Sequence, residues 1–271
     1  MGKFGKFLLG TAITAAAVSA TATYLLAPKK ADKDKAAPFK NKYFAHRGLH
    51  AKDGSAPENS IEAFRLAAEK GYGIELDVHL TTDNEVIVFH DDDLKRMCGV
   101  ERATFDLSYK EIKELSLLDT QHKIPLFTEV LDVYNAAGPM VLEIKTCPRK
   151  YELCQKVYEL LKDYNGDVCI ESFDPRIVGW WKKNAPEYIR GQLAQPMEKY
   201  DNQPKILAFL LSNGLTNFIA RPHFIAYHIG KKPLGIKIAE KMGAMKFSWT
   251  SREAGQQNKN DDGVIFEHYE P

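Results

Sequence analysis

The apolar positions of the chain gather in short, nearly continuous runs, and helical patterns stand between most of them. Runs of this kind are typical of strands that are buried on both faces of a sheet. The alternation of strands and helices favours an α/β fold with a parallel sheet. Eight runs predict strands, at 43–46, 73–78, 86–90, 140–145, 168–173, 188–194, 223–229 and 245–250.

Several of the intervening helices have recognisable ends. Asn59 is expected to cap a helix over 60–70, since Gly71 follows it, and Asp174-Pro175 is typical of a helix start. Eight strands with interleaved helices predict a (β/α)8 barrel. Further helices are predicted at 129–137, 148–164, 204–213 and 232–242.

One junction does not fit this alternation. Between Val78 and Val86 the chain is too short for the crossover helix that a parallel connection needs. Either this connection lacks its helix, or the sheet is mixed at this point.

An uncharged stretch precedes the strands. The 21 residues from Phe7 to Ala27 carry no charge, and a helix of that length spans about 31 Å, enough for a bilayer core. A single-pass membrane anchor is expected, with the side of the membrane left open. A cleaved signal peptide, and hence secretion, is the alternative because Ala20-Thr21-Ala22 resembles a cleavage site. The predicted segments are an anchor or signal peptide over 1–28, a solvated linker over 29–40 and a folded domain over 41–271.

Composition and charge exclude several classes of protein. The 271 residues are 44% hydrophobic and 27% charged, which is typical of a globular protein with a sizeable core. The net charge of +1 does not favour a nucleic-acid partner. Four cysteines without CxxC spacing indicate free thiols rather than a zinc site.

Ionisable side chains lie near the carboxyl ends of the first four predicted strands, which in a barrel share one open face where active sites lie. They are His46 and Arg47, then Glu75 and Asp77, then His90 and Asp91, then Glu143 and Lys145. Residues two apart on a strand point the same way, so Glu75 and Asp77 face one side together, and so do Glu143 and Lys145.

The carboxylates of this set indicate a metal site. Two carboxylates about 4 Å apart repel by roughly 4 kcal/mol at an effective dielectric near 20. A cluster of Glu75, Asp77 and Glu143 therefore favours a hard divalent cation, Mg²⁺ or Ca²⁺. Two histidines beside the ion could move protons near neutral pH, and Arg47 could bind a phosphate. This set predicts phosphodiester hydrolysis.

The order of motifs resembles the glycerophosphodiester phosphodiesterases, within the superfamily of phospholipase C-like phosphodiesterases. The resemblance covers about 43–271 and is most specific over 43–91. It rests on His46-Arg47-Gly48, Pro57-Glu58-Asn59-Ser60, Glu75-Leu76-Asp77-Val78, Thr81-x-Asp83, His90-Asp91, Glu143-Ile144-Lys145, Ser172-Phe173 and Trp249-Thr250.

This resemblance implies a TIM barrel that lacks one crossover helix near strand 2. It also implies a divalent metal on Glu75, Asp77 and Glu143 and a catalytic pair, His46 and His90. Arg47 and Lys145 would hold phosphate, and Ser172 and Trp249 would line the substrate pocket. Glu58, Asn59 and Asp91 are expected to support these residues, although Asn59 could equally be a plain helix cap.

Two late segments depart from the family pattern. Ser251-Arg252 stands where the family has a hydrophobic residue and Asn. The usual terminal Thr-Asp before a Pro is replaced by Phe266-Glu267-His268-Tyr269-Glu270-Pro271. Because both lie late in the chain, we expect them to lie away from the metal and the histidines and to affect substrate choice rather than catalysis.

The predicted reaction is the hydrolysis of glycerophosphodiesters to sn-glycerol 3-phosphate and an alcohol. One histidine would deprotonate the attacking oxygen and the other would protonate the leaving alcohol. Two alternatives remain open: a phospholipase of the same superfamily that acts on lysophospholipids or sphingolipids, and a catalytically silent, membrane-tethered binding protein.

Overall fold

Eight parallel strands close into a barrel in the computed structural model, which describes residues 19–201, 203–257 and 260–271. Each barrel strand pairs with its two neighbours, and the last strand pairs with the first. The predicted (β/α)8 barrel is therefore confirmed. The barrel strands are β1 (Lys42–His46), β2 (Gly73–Leu80), β4 (Met140–Ile144), β5 (Val168–Ser172), β6 (Ile189–Ala194), β7 (Phe224–His228), β8 (Met245–Ser251) and β9 (Gly263–Phe266).

The predicted strand at 86–90 does not belong to the barrel. Its residues form β3 (Val86–Val88), which runs antiparallel to β2, with Val78 opposite Val88. The short junction is therefore a hairpin, and the sheet is mixed at this point. The eighth barrel strand is instead β9, which the apolar pattern did not reveal because it is only four residues long and follows a polar segment.

The prediction that the barrel lacks a crossover helix near strand 2 is wrong. The chain from β2 to β4 contains the helix Phe127–Tyr134, which comes after the β3 hairpin and its loop. By contrast, the connection from β8 to β9 contains no helix among its described residues.

The longer helices surround the barrel close to their predicted places. Ser60 rather than Asn59 caps the first of them, with its hydroxyl accepting from the backbone N–H of Ala63. These helices are Ile61–Glu69, Phe127–Tyr134, Lys150–Leu161, Pro175–Asn184, Lys205–Ser212 and Leu234–Lys241. Shorter helical segments occupy Lys33–Ala36, Lys95–Cys98, Tyr109–Ile112 and Asn217–Ala220, with 3-10 turns at Ala37–Phe39, Thr104–Asp106, Leu117–Asp119 and Met197–Lys199.

Aromatic side chains fill the end of the barrel opposite the strand carboxyl ends. The ring of Phe247 stacks on Phe224 at 4.4 Å and on Phe44 at 5.7 Å. Gly191 leaves the room that Phe224 needs, because a Cβ there would collide with the ring. The buried side chains of Ala36 and Phe39 join this cluster from the segment that precedes β1. These side chains fill this end of the barrel.

The amino-terminal segment is described from residue 19 onward. Residues 19–26 are helical and lie against the barrel, where Arg221 Nη1 donates to the carbonyl oxygens of Tyr24 and Ala27, each at 2.8 Å. Within the described part of the chain, no helix is both long enough and apolar enough to cross a bilayer. Most of the predicted anchor over 1–28 lies outside the described residues.

Candidate active site

Three carboxylates meet at the open end of the barrel. Glu75 and Asp77 lie on β2, and Glu143 lies on the neighbouring β4, directly beside Asp77 in the strand register. The three residues are 3%, 1% and 7% exposed, respectively. One carboxylate oxygen from each lies within 4.8 Å of the others. The predicted metal ligands are therefore brought together and shielded from bulk water.

Two cations partly balance these carboxylates. Lys145 Nζ lies 3.3 Å from Asp77 Oδ1 and 3.1 Å from Glu143 Oε1. The Arg47 backbone N–H donates to Glu75 Oε2 at 3.0 Å, and its Nε lies 3.8 Å from Asp77 Oδ2. Burial opposes ionisation of Asp77, but Lys145, His90 and Arg47 outweigh it and hold the Asp77 pKa well below its ordinary value.

The negative charge at the site exceeds the positive charge. Burial, followed by repulsion from Asp77, raises the pKa of Glu75 well above its ordinary value, and burial also raises that of Glu143. A fourth carboxylate, Glu171, lies beside Glu143 in the strand register and is 1% exposed. Its Oε2 has no hydrogen-bond partner among the described residues. A buried, all-oxygen donor set with unbalanced negative charge fits a hard divalent cation.

A tight turn after β1 positions Arg47. Arg47 and Gly48 both have left-handed backbone conformations, with φ of 56° and 79°. A Cβ on Gly48 would lie 2.8 Å from the Cβ of Ala63, so only glycine fits against the helix Ile61–Glu69. Asn59 donates from Nδ2 to Asp77 Oδ2 at 3.0 Å. Asn59 therefore orients a carboxylate of the cluster instead of capping the helix.

His46 is paired with a carboxylate from the end of the chain. Its Nδ1 lies 2.6 Å from Glu267 Oε2, and its Nε2 lies 3.9 Å from Glu75 Oε2. Burial is the largest effect on His46 and lowers its pKa to about 4, although the hydrogen bond with Glu267 opposes this. His46 is therefore held neutral, with one nitrogen toward Glu267 and the other toward the carboxylate cluster.

His90 is paired in the same manner at the rim. Its Nδ1 lies 2.6 Å from Asp91 Oδ1, and its side chain is 32% exposed. Arg96 binds Asp91 through Nε at 2.7 Å and also binds Glu58, which in turn accepts from Arg47 Nη1 at 2.7 Å. This network connects the pair at the rim to the turn after β1.

The contacts of Ser172 and Trp249 are with the backbone and with an aromatic ring. The buried Ser172 hydroxyl donates to the Ile144 carbonyl at 2.7 Å, so it joins the ends of β4 and β5. Trp249 packs its ring against Phe173 at 5.6 Å and borders the side of the mouth where Phe173 lines a cavity of about 540 Å³. The structure therefore uses the Ser172 hydroxyl within the scaffold and places Trp249 next to a cavity.

Sequence reasoning missed Glu267 and Arg252 as site residues. These residues belong to the two late segments that depart from the family pattern, and the expectation that both segments lie away from the histidines is wrong. Arg252 Nε donates to Glu267 Oε1 at 2.6 Å, while Glu267 Oε2 contacts His46. The two segments that depart from the family pattern thus meet in one ion pair. Their position in the chain gave no indication of this, because Glu267 and His46 are 221 residues apart and meet only when β9 pairs with β1.

Comparison with known proteins identifies the family. The sequence model of the glycerophosphoryl diester phosphodiesterase family matches residues 46–267. A glycerophosphodiester phosphodiesterase of Caldanaerobacter subterraneus subsp. tengcongensis is 34% identical over 168 residues, which cover 58% of this chain and 68% of that protein. Lysophospholipase D GDPD1 of Homo sapiens is 36% identical over 140 residues, which cover 47% of this chain and 43% of that protein. The matched region thus spans less than half of the human relative.

A solved structure shares the fold. The phosphodiesterase of Oleispira antarctica, determined in complex with the product sn-glycerol-3-phosphate, has a TM-score of 0.69 and 22% identity, and the match covers 85% of this chain and 94% of that one. The family match runs from His46 to Glu267, the two residues that pair at the barrel mouth. This chain therefore belongs to the glycerophosphoryl diester phosphodiesterase family and is a phosphodiester hydrolase.

Proposed function

We propose that this protein hydrolyses glycerophosphodiesters to sn-glycerol 3-phosphate and an alcohol. One observation carries the proposal: a buried cluster of three carboxylates lies next to His46, whose other ring nitrogen is paired with Glu267. A carboxylate on Nδ1 fixes the ring so that Nε2 faces the reacting group, as general acid–base catalysis requires.

Glu75, Asp77 and Glu143 would hold a divalent cation. When bound, such an ion supplies positive charge against the developing charge on the phosphoryl oxygens. Mg²⁺ and Ca²⁺ both take oxygen ligands of this kind. Arg47 and Lys145 would hold the phosphate, because both cations lie beside Asp77 at the mouth.

The environments of the two histidines support different roles. His46 is buried and neutral, so its Nε2 can accept a proton from the attacking oxygen, which is water or the substrate's own neighbouring hydroxyl. Glu267 then stabilises the imidazolium that forms. His90 lies at the rim, where it can donate a proton to the alcohol as that group leaves toward solvent.

Lysophospholipids are a second candidate substrate class. The cavity beside Trp249 is lined in part by Phe173, Tyr200, Leu207 and Leu211, and its volume of about 540 Å³ lies within the range of ligand pockets. These side chains could take an apolar substituent on the glycerol. Hydrolysis of lysophosphatidylcholine by the purified protein would support this class, and hydrolysis of glycerophosphocholine alone would exclude it.

A membrane location is part of the proposal. The uncharged stretch from Phe7 to Ala27 is long enough to enter a bilayer and has lysines on both sides. Fractionation of cells that express the full chain tests this location. Recovery with membranes after a high-salt wash would support it, and recovery in the soluble fraction would contradict it.

The release of sn-glycerol 3-phosphate from glycerophosphocholine tests the reaction directly. His46→Ala and His90→Ala should each lower kcat by at least about 10²-fold, because each removes a proton-transfer group. His122→Ala is the matched control, since His122 contacts the backbone of Ser55 and not the carboxylate cluster. A turnover near that of the wild type in either site variant would contradict the proposal.

A further inference from the structure

The exposed apolar side chains of this protein are not spread evenly. Among the described residues, ten large hydrophobic side chains are exposed. Seven of them lie on one flank of the barrel, which we call the apolar face. Ile206 is the most exposed of these, at 78%, and Leu234 follows at 72%. The apolar face consists of Tyr24, Met197, Ile206, Leu207, Phe209, Phe218 and Leu234.

Contacts connect the segments that carry these seven residues. Three of them lie on the helix Lys205–Ser212, against which the turn Met197–Lys199 packs. Gly235, next to Leu234, lies against the Asn213 carbonyl at the end of that helix and against the Leu26 side chain. The rings of Tyr24 and Phe218 lie 6.1 Å apart. A group of exposed apolar side chains on one side of a globular domain marks an interaction site.

Most of the charged residues around the apolar face are basic, although Glu198 and Asp201 lie close to Met197 in the chain and Glu240 pairs with Lys232. The residues of the apolar face come mainly from the segments 19–31, 205–221 and 229–239. These segments hold seven of the 37 Lys and Arg residues of the chain and none of its 36 Asp and Glu residues. Since the whole chain has a net charge of only +1, the positive charge is concentrated here. The seven are Lys29, Lys30, Lys205, Arg221, Lys231, Lys232 and Lys237.

We infer that the apolar face docks on an anionic lipid surface. Apolar side chains surrounded by lysines are the pattern of membrane-surface binding, and basic residues near anionic lipid strengthen that binding. The uncharged stretch Phe7–Ala27 reaches the described structure at this face, where residues 19–26 lie beside Phe218 and Arg221. A bilayer that received this stretch would therefore meet the apolar face.

Charge also favours a lipid surface over two other possible occupants of the apolar face, namely residues 1–18 and a second copy of the chain. Residues 1–18 carry Lys3 and Lys6 but no acidic residue, so they offer no complement to the surrounding lysines. A second copy of the same face would bring like charges together. Anionic headgroups complement the lysines, and acyl chains complement the apolar side chains.

Docking through the apolar face would also affect access to the active site. Leu207 belongs to the apolar face and also lines the cavity that begins at Phe173, next to Trp249. The cavity rim would therefore lie at the lipid surface. Docking itself does not depend on the proposed reaction, because it concerns the flank of the barrel and not the carboxylate cluster.

A polarity-sensitive fluorophore on single cysteines of the full chain tests the inference. The variants Ile206→Cys and Phe209→Cys, in a Cys98→Ser background, place the label on the apolar face. Cys98 is replaced because it is partly exposed, whereas the other three cysteines are buried. Leu118→Cys and Tyr151→Cys are matched controls, since both are exposed hydrophobic residues outside the apolar face.

Vesicles of phosphatidylcholine and phosphatidylglycerol should shift the emission of the labels at Ile206 and Phe209 to the blue, and the control labels should not respond. Vesicles of phosphatidylcholine alone should give a smaller shift. No response at Ile206, or an equal response at all four sites, would overturn the inference. Blue-shifted emission from the labels at Ile206 and Phe209 in the absence of vesicles would also overturn it. If that emission depends on protein concentration, a second copy of the chain covers the apolar face. If it does not, residues 1–18 cover it. The readout needs no turnover, so it stands apart from the proposed hydrolysis.

Discussion

Nδ1 of His46, at the end of the first barrel strand, lies 2.6 Å from Oε2 of Glu267, which follows the last barrel strand. The pairing of β1 with β9 closes the barrel and brings these residues together. Glu267 is held in turn by Arg252 Nε at 2.6 Å. Closure of the barrel thus also orients a histidine toward the carboxylate cluster.

Glu267→Gln should lower kcat for glycerophosphocholine by about 10–100-fold with little change in KM, because an amide cannot stabilise the His46 imidazolium. Glu267→Asp, which keeps the charge, should recover part of the activity. Steady-state kinetics of both variants test this. Glu240→Gln is the matched control, since Glu240 also pairs with a buried cation, Lys232, and lies outside the site. Equal losses in all three variants would contradict a specific role for Glu267.

Glu75→Gln should abolish hydrolysis without lowering the thermal midpoint in a chelator. Burial and Asp77 raise the pKa of Glu75, so its charged form destabilises the ion-free protein at neutral pH, and an amide relieves this. Added Mg²⁺ or Ca²⁺ should stabilise the wild type by about 2.7 kcal/mol at a hundredfold excess over Kd, and should not stabilise the variant. Differential scanning fluorimetry measures both. An equal response to the ion in both proteins would count against Glu75 as a ligand.

Gly48→Ala should destabilise the fold more than Gly54→Ala. Both glycines have left-handed backbones, with φ of 79° and 80°, so both variants carry the same conformational strain, roughly 1 kcal/mol. Only at Gly48 would the new Cβ collide with Ala63, since the space at Gly54 is open. Urea unfolding should therefore separate the two by about 1–3 kcal/mol. Equal free energies of unfolding would show that the turn after β1 is not closely packed.

His223 should make the protein sensitive to acid. Burial, and then Arg190, lowers the pKa of His223 to about 3, and its Nδ1 accepts from the Arg190 backbone N–H at 3.2 Å. Between an unfolded-state pKa of about 6.5 and this value, the unfolded chain binds the proton and the folded protein does not. The stability that the neutral His223 contributes is therefore fully present above about pH 6.5 and falls by about 3 kcal/mol between about pH 6.5 and about pH 4.

His223→Asn keeps an acceptor for Arg190 and removes the titrating ring. Its free energy of unfolding should depend less on pH between 6.5 and 4 than that of the wild type. Chemical denaturation at a series of pH values measures both curves. Parallel curves would show that other groups cause the acid sensitivity.

Much of the barrel could be predicted from the apolar runs, because a strand buried on both faces must be apolar along its length. The run 73–78 corresponds to β2, and 140–145 corresponds to β4. The same criterion wrongly assigned β3 to the barrel, since a buried hairpin strand is as apolar as a barrel strand. Strand direction depends on the partner and not on the run itself.

The carboxylate cluster could also be predicted, because Glu75 and Asp77 share one strand and Glu143 lies at a strand end. Glu171 was missed although it directly precedes the Ser172-Phe173 motif, because the strand register that places it beside Glu143 cannot be read from the sequence. Glu267 was missed for a different reason. Its contact with His46 depends on closure of the barrel, which only the paired strands reveal.

The central claim is that Glu75, Asp77 and Glu143 hold the ion on which hydrolysis depends. The most direct measurement is the release of sn-glycerol 3-phosphate from glycerophosphocholine by the wild type and by Glu143→Gln, in a strong chelator and after excess Mg²⁺ or Ca²⁺ is returned. We expect no release in the chelator, recovery of the wild type by one of the ions, and no recovery of the variant. Undiminished release by the wild type in the chelator, or full activity of the variant, would contradict the claim.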